Sequence, residues 1–314
     1  MAAVSGRERD VVQPFLLEQA SVRGRFVRLC ETVRYVLGAH AYPPPVARQL
    51  GELLVLAATF VGALKFQGTF SLQVRGEGPL SLLVVDVTND GTMRGYAAFA
   101  ADRLAALEED IPCARLFGSG VLALTVDQRA AGGGIHQGVV RLDGESLAEA
   151  VGTYFRKSEQ LPTAIRVASG LDPLDGRWRA AGLILQAMPG EGSADPEERR
   201  EHWRRVVMLL ATVSEAELLG DHLAIEQVLF RLFHEEGVRL FPPATVRPGC
   251  SCEKARVLEL LRGFPREELA AMRLEDGAIE AVCEFCGRRY RLGPEEVEGL
   301  LHRAKDAAAR DPAR

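Results

Sequence analysis

Apolar and polar residues alternate along the first half of the chain in short runs that end at turn residues. Phe70, Leu72 and Val74 alternate with polar neighbours, and this period of two is typical of a strand with one buried face. Short turns with Gly and Asn, such as residues 89–91, favour hairpins between neighbouring strands. Further strands are predicted over residues 80–87, 93–100, 121–127, 138–142, 163–168 and 178–188.

Other stretches of this first half have helical periodicity. Residues 46–66 are apolar on most of a helical surface and contain no proline, which predicts a largely buried helix. Ser146 and Glu149 form a capping-box pattern that predicts a second helix, ending at about Glu159. Helices mixed with hairpin strands predict an α+β fold rather than a doubly wound parallel sheet.

The composition changes at residues 189–196, where Gly, Pro and small residues predict a flexible connection. Helical periodicity follows, with apolar faces formed by Trp203, Val206, Val207, Leu210, Val213, Ile225, Val228, Leu229, Leu232 and Phe233. We therefore predict three parts: an N-terminal mixed α/β-sheet domain (residues 1–188), a helical linker (189–246) and a small C-terminal domain (247–314), whose clustered cysteines make it a predicted zinc-binding domain.

The C-terminal part contains four of the six cysteines, as Cys250-x-Cys252 and Cys283-x-x-Cys286. Each pair can supply two thiolates, and four thiolates in a tetrahedron are a preferred ligand set for Zn²⁺. Gly287 follows the second pair, where a positive φ can aim backbone N–H groups at sulfur. The spacing therefore predicts a metal site made by these four cysteines.

The role of that metal stays open at the level of spacing. A structural zinc site requires nothing more than the four thiolates, which close the coordination shell and leave no position for a catalytic water. Residues 247–314 contain thirteen Lys/Arg and thirteen Asp/Glu, a balance that argues against nucleic-acid binding. The residues after Cys286 have the pattern of a turn and a strand, whereas a thiol oxidoreductase normally places its Cys-x-x-Cys at a helix start.

Overall composition adds an expectation about the compartment. The 314 residues have a formal net charge of −5 and a mean hydropathy of 0.00. Residues 1–12 lack the apolar core of a signal peptide, and the longest uncharged apolar run, residues 53–64, is too short for a bilayer. We expect no membrane association and a cytoplasmic protein. In the cytoplasm, clustered cysteines indicate metal or redox chemistry. The two other cysteines, Cys30 and Cys113, are predicted to be packed thiols. Cys30 follows Phe26 and Leu29 in a helix-like pattern.

The cysteine spacing in a C-terminal module resembles that of the redox-regulated heat-shock holdase chaperones of about 33 kDa, the HslO family. Segments outside the cysteines are also similar to that family: residues 22–28, 154–163, 181–186, 232–236 and 275–277. Glu253 and Lys254 depart from the family, in which Ser-Arg is common after the first pair.

This resemblance implies a chaperone that uses no ATP and is not an enzyme. In the reduced monomer, one Zn²⁺ per chain would be bound by Cys250, Cys252, Cys283 and Cys286. Oxidants such as peroxide would form the disulfides Cys250–Cys252 and Cys283–Cys286 and release the zinc. The linker would then lose order, and a homodimer would bind unfolding client proteins. The main alternative is a structural-zinc binding protein, with or without RNA association, that has no redox switch.

Overall fold

The computed structural model describes residues 10–61, 67–105, 111–142, 146–172, 174–188, 195–220 and 223–310. The chain divides into two compact units, Met1–Gly249 (the first unit) and Cys250–Arg314 (the cysteine unit). Both combine helices with antiparallel strands, so the predicted α+β class is confirmed. The finer division at residue 188 stays a prediction, and residues 189–194 of the predicted connection lie outside the described residues.

The strands of the first unit form two sheets. They are β1 (Val11–Leu17), β2 (Val22–Leu29), β3 (Thr69–Gly76), β4 (Leu80–Thr88), β5 (Thr92–Phe99), β6 (Gly120–Asp127), β7 (Ile135–Arg141), β8 (Thr163–Leu171), β9 (Trp178–Ala187), β10 (Val238–Leu240), β11 (Ala244–Thr245) and β12 (Arg247–Pro248). The first sheet has the order β10-β1-β2-β9-β8, with β11 also paired to β1. The second sheet has the order β12-β5-β4-β3-β6-β7, in which only the β12–β5 pair is parallel among the described strands.

The helices of the first unit are α1 (Glu31–Leu37), α2 (Pro44–Ala58), α3 (Ala101–Ala105), α4 (Cys113–Phe117), α5 (Leu147–Ser158), α6 (Pro196–Ala211), α7 (Glu215–Leu219) and α8 (Ile225–Phe233), with 3-10 turns at Arg129–Ala131 and His234–Glu236. Helix α2 packs against strands of both sheets and is buried on most of its surface. It therefore forms the centre of the larger hydrophobic core, as its continuous apolar sequence requires.

Helices α6, α7 and α8 cover the other face of the first sheet. Period-two alternation places the side chains of this face in a second core, with Phe15, Leu17, Phe26, Leu183 and Leu185 packed against Val206, Leu210, Leu218, Val228, Leu229 and Phe233. Ser214 and Glu217 form a complete capping box at the start of α7. The apolar faces predicted for residues 203–233 are thus buried against a sheet.

Two predictions about the first unit were wrong. The spacing of Phe26, Leu29 and Cys30 fits a helix, but residues 22–29 form strand β2. This strand lies between β1 and β9 and is buried on both faces over its second half, so its apolar residues do not alternate strictly. The predicted helix over residues 46–66 ends at Ala58, and residues 62–66 lie outside the described residues.

The cysteine unit is small. It consists of α9 (Lys254–Leu261), α10 (Arg266–Ala271), the hairpin of β13 (Ile279–Val282) and β14 (Arg289–Leu292), and α11 (Pro294–Arg310). Its hydrophobic core is formed by the buried residues Leu261, Leu269, Ile279, Leu292, Val297, Leu300 and Leu301. Such a core contributes little stability by itself, so a unit of this size normally needs a metal or another cross-link.

Candidate metal centre

The first cysteine pair lies in an extended segment directly before α9. Glu253 occupies the N-cap position of that helix with extended backbone angles, so Cys250 and Cys252 precede the helical region. Both side chains are half-buried, and neither sulfur is in a disulfide bond. The short Cys-x-Cys spacing therefore presents two sulfurs from one extended stretch of backbone.

The second pair lies in the turn between β13 and β14. The N–H of Gly287 donates to the carbonyl oxygen of Cys283 at 2.8 Å, and the N–H of Cys283 donates to the carbonyl oxygen of Arg288 at 2.9 Å. Gly287 has a φ of +67°, which glycine adopts without steric cost. This tight turn orients Cys283 and Cys286 toward the same point.

The structure brings all four sulfurs of the predicted site together, within 4.8 Å of one another. The Sγ atoms of Cys250 and Cys283 are 3.7 Å apart, and those of Cys252 and Cys286 are 3.3 Å apart. Four thiolates around one Zn²⁺ at about 2.3 Å lie about 3.8 Å from each other. The observed cluster therefore fits the size and donor set of a tetrahedral thiolate site.

The close sulfurs of this cluster differ in acidity. Burial opposes ionisation of Cys252, but hydrogen bonds from Tyr290 and from the other thiols lower the pKa of Cys252 to about 7. Burial, together with the hydrogen bond to Cys252, raises the pKa of Cys286 to about 12. A thiolate next to a thiol is the expected result when four sulfurs are this close, because two neighbouring negative charges repel each other.

Tyr290 is a functional candidate that the sequence analysis did not identify. Its hydroxyl donates to the Sγ of Cys252 at 3.1 Å, and the positive charge of Arg288 interacts with the Tyr290 hydroxyl. The only available signal in the sequence was the position of a tyrosine in the strand directly after the second pair.

The departure from the family pattern at Lys254 also has a structural counterpart. Lys254 Nζ forms an ion pair with both carboxylate oxygens of Glu296, at 2.7 and 2.8 Å. The same carboxylate accepts a hydrogen bond from the N–H of Gly293 at 2.9 Å, at the start of α11. Lys254 thus joins the segment after the first pair to α11 within the cysteine unit.

One histidine and the other two cysteines lie outside the sulfur cluster. The Nδ1 of His234 is 3.2 Å from the carbonyl oxygen of Phe230, one helical turn earlier, and His234 is not part of the sulfur cluster. Cys30 and Cys113 are buried, and burial raises their pKa values to about 11 and about 12. They are therefore packed, unreactive thiols, as predicted.

Comparison with known proteins shows the family of this chain. The sequence profile described as "Hsp33 protein" matches residues 10–293. The chain belongs to the Hsp33 family. It is 40% identical over 293 residues to the "33 kDa chaperonin" of Ectopseudomonas mendocina, covering 93% of this chain and 95% of the relative. It is 39% identical over 290 residues to the protein of the same name from Caulobacter vibrioides, covering 91% and 95%.

A solved structure agrees with this membership. The crystal structure of the 33 kDa chaperonin (heat shock protein 33 homolog) from Thermotoga maritima superimposes with a TM-score of 0.78 at 25% identity. The match covers 95% of this chain and 99% of that structure. The family resemblance inferred from the cysteine spacing is confirmed. Within the described residues, no helix combines the length and apolar character needed to cross a membrane.

Proposed function

We propose that this Hsp33-family protein is an ATP-independent holdase that oxidation activates, that it acts in the cytoplasm, and that it is not an enzyme. The chain aligns with nearly the whole length of relatives that are named chaperonins. This similarity supports binding of unfolding client proteins. The observation that carries the redox part is the cluster of four cysteine sulfurs within 4.8 Å of one another in a unit with a small core.

In the reduced protein, Cys250, Cys252, Cys283 and Cys286 bind one Zn²⁺. The four sulfurs provide the soft donor set that this ion prefers. These four residues would hold the ion between the extended segment before α9 and the β13–β14 hairpin, and its binding would contribute folding free energy of order 10 kcal/mol. The small hydrophobic core of the cysteine unit makes its fold depend on this contribution.

Oxidation removes the ligands. The four thiolates lose four electrons and form the disulfides Cys250–Cys252 and Cys283–Cys286. Two molecules of hydrogen peroxide accept these electrons and, with four protons, become four molecules of water. Disulfide sulfurs are poor ligands for Zn²⁺, so the oxidised cysteines would no longer hold the ion and the cysteine unit would lose its order.

Loss of order then extends to the helical linker in this proposal. Helices α6 to α8 cover an apolar face of the first sheet, including Phe15, Phe26 and Leu183. When these helices detach, that face and the apolar faces of the helices become exposed together. An apolar surface of this kind is able to hold unfolding proteins. It also favours self-association, and we propose that the oxidised form is a homodimer whereas the reduced form is a monomer.

The test follows light scattering from a client protein that unfolds on heating, in the presence of reduced zinc-loaded protein or peroxide-treated protein. We expect suppression only after oxidation, reversed by a thiol reductant, with one zinc ion per chain released to a chromogenic chelator. The variant Cys113→Ala is the control, because this thiol lies outside the cluster and its removal should leave activation unchanged.

Three other outcomes would contradict the proposal. Equal suppression by both forms would indicate a chaperone without a switch. No suppression by either form, together with tight RNA binding by the reduced protein, would favour the alternative of a structural-zinc binding protein. Turnover of a disulfide substrate would instead indicate a thiol oxidoreductase.

A further inference from the structure

We propose that Tyr290 is a positioning residue that holds the Cys252 sulfur in ligand geometry and protects it from oxidants. This inference rests on the function proposed above for the four cysteines. It identifies a side chain that controls how easily zinc is released from the first cysteine pair.

The position of Tyr290 is fixed by the hairpin. In the register of β13 and β14, Tyr290 lies opposite Ala281. Alternation along β14 buries Tyr290 and Leu292 and exposes Arg289 and Arg291, and Leu292 belongs to the hydrophobic core of the unit. The ring of Tyr290 is 9% exposed. A buried ring on a paired strand has little freedom, so its hydroxyl is presented at a defined point.

That point is the sulfur of the other ligand segment. The Tyr290 hydroxyl donates to Cys252 Sγ at 3.1 Å, although the two residues are 38 positions apart in the sequence. The bond therefore connects the β-hairpin that carries the second pair to the extended segment that carries the first pair. It is a contact of the type that orients metal ligands from outside the coordination shell.

Arg288 strengthens this donor. Its guanidinium carries a positive charge that interacts with the Tyr290 oxygen, and this charge polarises the hydroxyl and makes it a better donor to sulfur. Arg288 is in the turn that also holds Cys283 through its carbonyl oxygen, at 2.9 Å. The hairpin turn thus brings the second pair, the arginine and the tyrosine together, and the tyrosine hydroxyl connects them to Cys252.

A hydroxyl bonded to a thiolate has two chemical consequences. It stabilises the negative charge on sulfur, which favours metal binding over protonation. It also occupies a sulfur lone pair and withdraws electron density, which lowers the nucleophilicity of the sulfur toward peroxide. Hydrogen bonds to sulfur are known to tune thiolate metal centres in this way.

The test is Tyr290→Phe in the full chain, which removes the hydroxyl and keeps the ring that packs in the unit. We expect zinc affinity, measured by chelator competition without oxidant, to fall about tenfold. Zinc release by peroxide should become at least about threefold faster, because the Cys252 sulfur is more nucleophilic. The matched control is Tyr154→Phe, which removes a hydroxyl bonded to Glu159 at 3.2 Å in the first unit and should change neither quantity.

A spectroscopic readout separates positioning from a general loss of stability. In protein reconstituted with Co²⁺ instead of zinc, Tyr290→Phe should shift the sulfur-to-cobalt charge-transfer band to lower energy, because one thiolate has lost its hydrogen bond. A variant that is only less stable would bind less cobalt but would keep the position of the band.

Unchanged affinity, band position and release rate in Tyr290→Phe would overturn this inference, even if the wild-type protein is activated by oxidation. The reverse combination is also distinguishable. If peroxide releases no zinc from the wild type, the proposed switch fails, while a weaker affinity and a shifted band in the variant would still establish the positioning role of Tyr290.

Discussion

Glu52 lies on α2, within the helix that packs against both sheets. Burial raises its pKa to about 7, with an opposing effect of Arg48 and a further increase from Glu215 at the start of α7. Between about pH 4.5 and pH 7 the folded protein keeps this proton while the unfolded chain has released it. The free energy of unfolding therefore decreases as the pH rises through this window, and the loss is complete above pH 7.

We expect Glu52→Gln to stabilise the first unit by about 2 kcal/mol at pH 8 and to have little effect at pH 4.5. Urea unfolding followed by tryptophan fluorescence measures this directly, because both tryptophans, Trp178 and Trp203, lie in the first unit. Glu226→Gln, at an exposed position on α8, is the control and should alter stability at neither pH. Equal stabilisation by Glu52→Gln at both pH values would contradict the titration of Glu52.

At this same scale, the sequence predicted the four clustered cysteines but not their neighbours. Cysteine spacing is informative because the coordination geometry of a metal restricts which residues can supply ligands. The contacts of Tyr290 with Cys252 and of Lys254 with Glu296 join residues 38 and 42 positions apart. Such contacts depend on the tertiary arrangement of the hairpin and of α11, which no local pattern specifies.

Among the secondary-structure elements, the attachment of α6 to the end of α8 depends on a buried carboxylate. Arg205 on α6 binds both carboxylate oxygens of Glu236, at 2.5 and 3.0 Å. The Glu236 side chain is fully buried, whereas Arg205 is 41% exposed. The backbone carbonyl of Glu236 also accepts from the N–H of Gln19 at 3.1 Å, so the ion pair connects α6 to the loop between β1 and β2.

Arg205→Ala should leave the Glu236 charge buried without its cation, at a cost of about 1–3 kcal/mol given the partial exposure of the arginine. We expect the helices over the first sheet to detach more readily, so that the reduced variant binds more bis-ANS and suppresses client aggregation in part. The control is Arg204→Ala, because Arg204 forms an exposed pair with Glu201 at 3.7 Å. Dye binding at the wild-type level in Arg205→Ala would show that this ion pair does not hold the helices in place.

Elements were predictable where one periodicity dominated. Strand β3 alternates cleanly because one of its faces packs in the core around α2 while the other remains more accessible. Strand β2 was misassigned because helices α6 to α8 cover the face that would otherwise be polar, and this covering is a long-range event. Helix α2 was predicted too long because the apolar residues continue beyond Ala58, where the helix ends.

For the whole molecule, the division into two units predicts two separate responses to loss of metal. The first unit has two extensive cores, whereas the cysteine unit has one small cluster. Adding a zinc chelator to the reduced protein should therefore abolish hydrogen-exchange protection in β13 and β14 while β2 and β9 remain protected. The same chelator saturated with zinc is the control. Retained protection in β13 and β14 after full zinc removal would contradict a metal-dependent fold.

The positions of the sulfurs also determine how the chain is cross-linked in each redox form. The contacting sulfurs belong to residues 33 and 34 positions apart, whereas the proposed disulfides join residues two and three positions apart. Closing a loop of about 34 residues lowers the conformational entropy of the unfolded chain, which corresponds to a free energy of about 4 kcal/mol. Closing a ring of three residues corresponds to about 2 kcal/mol. Oxidation would thus replace links between distant residues by links between near neighbours. The segment between the two cysteine pairs would regain most of the conformational freedom of an open chain, although all four sulfurs would be in disulfide bonds.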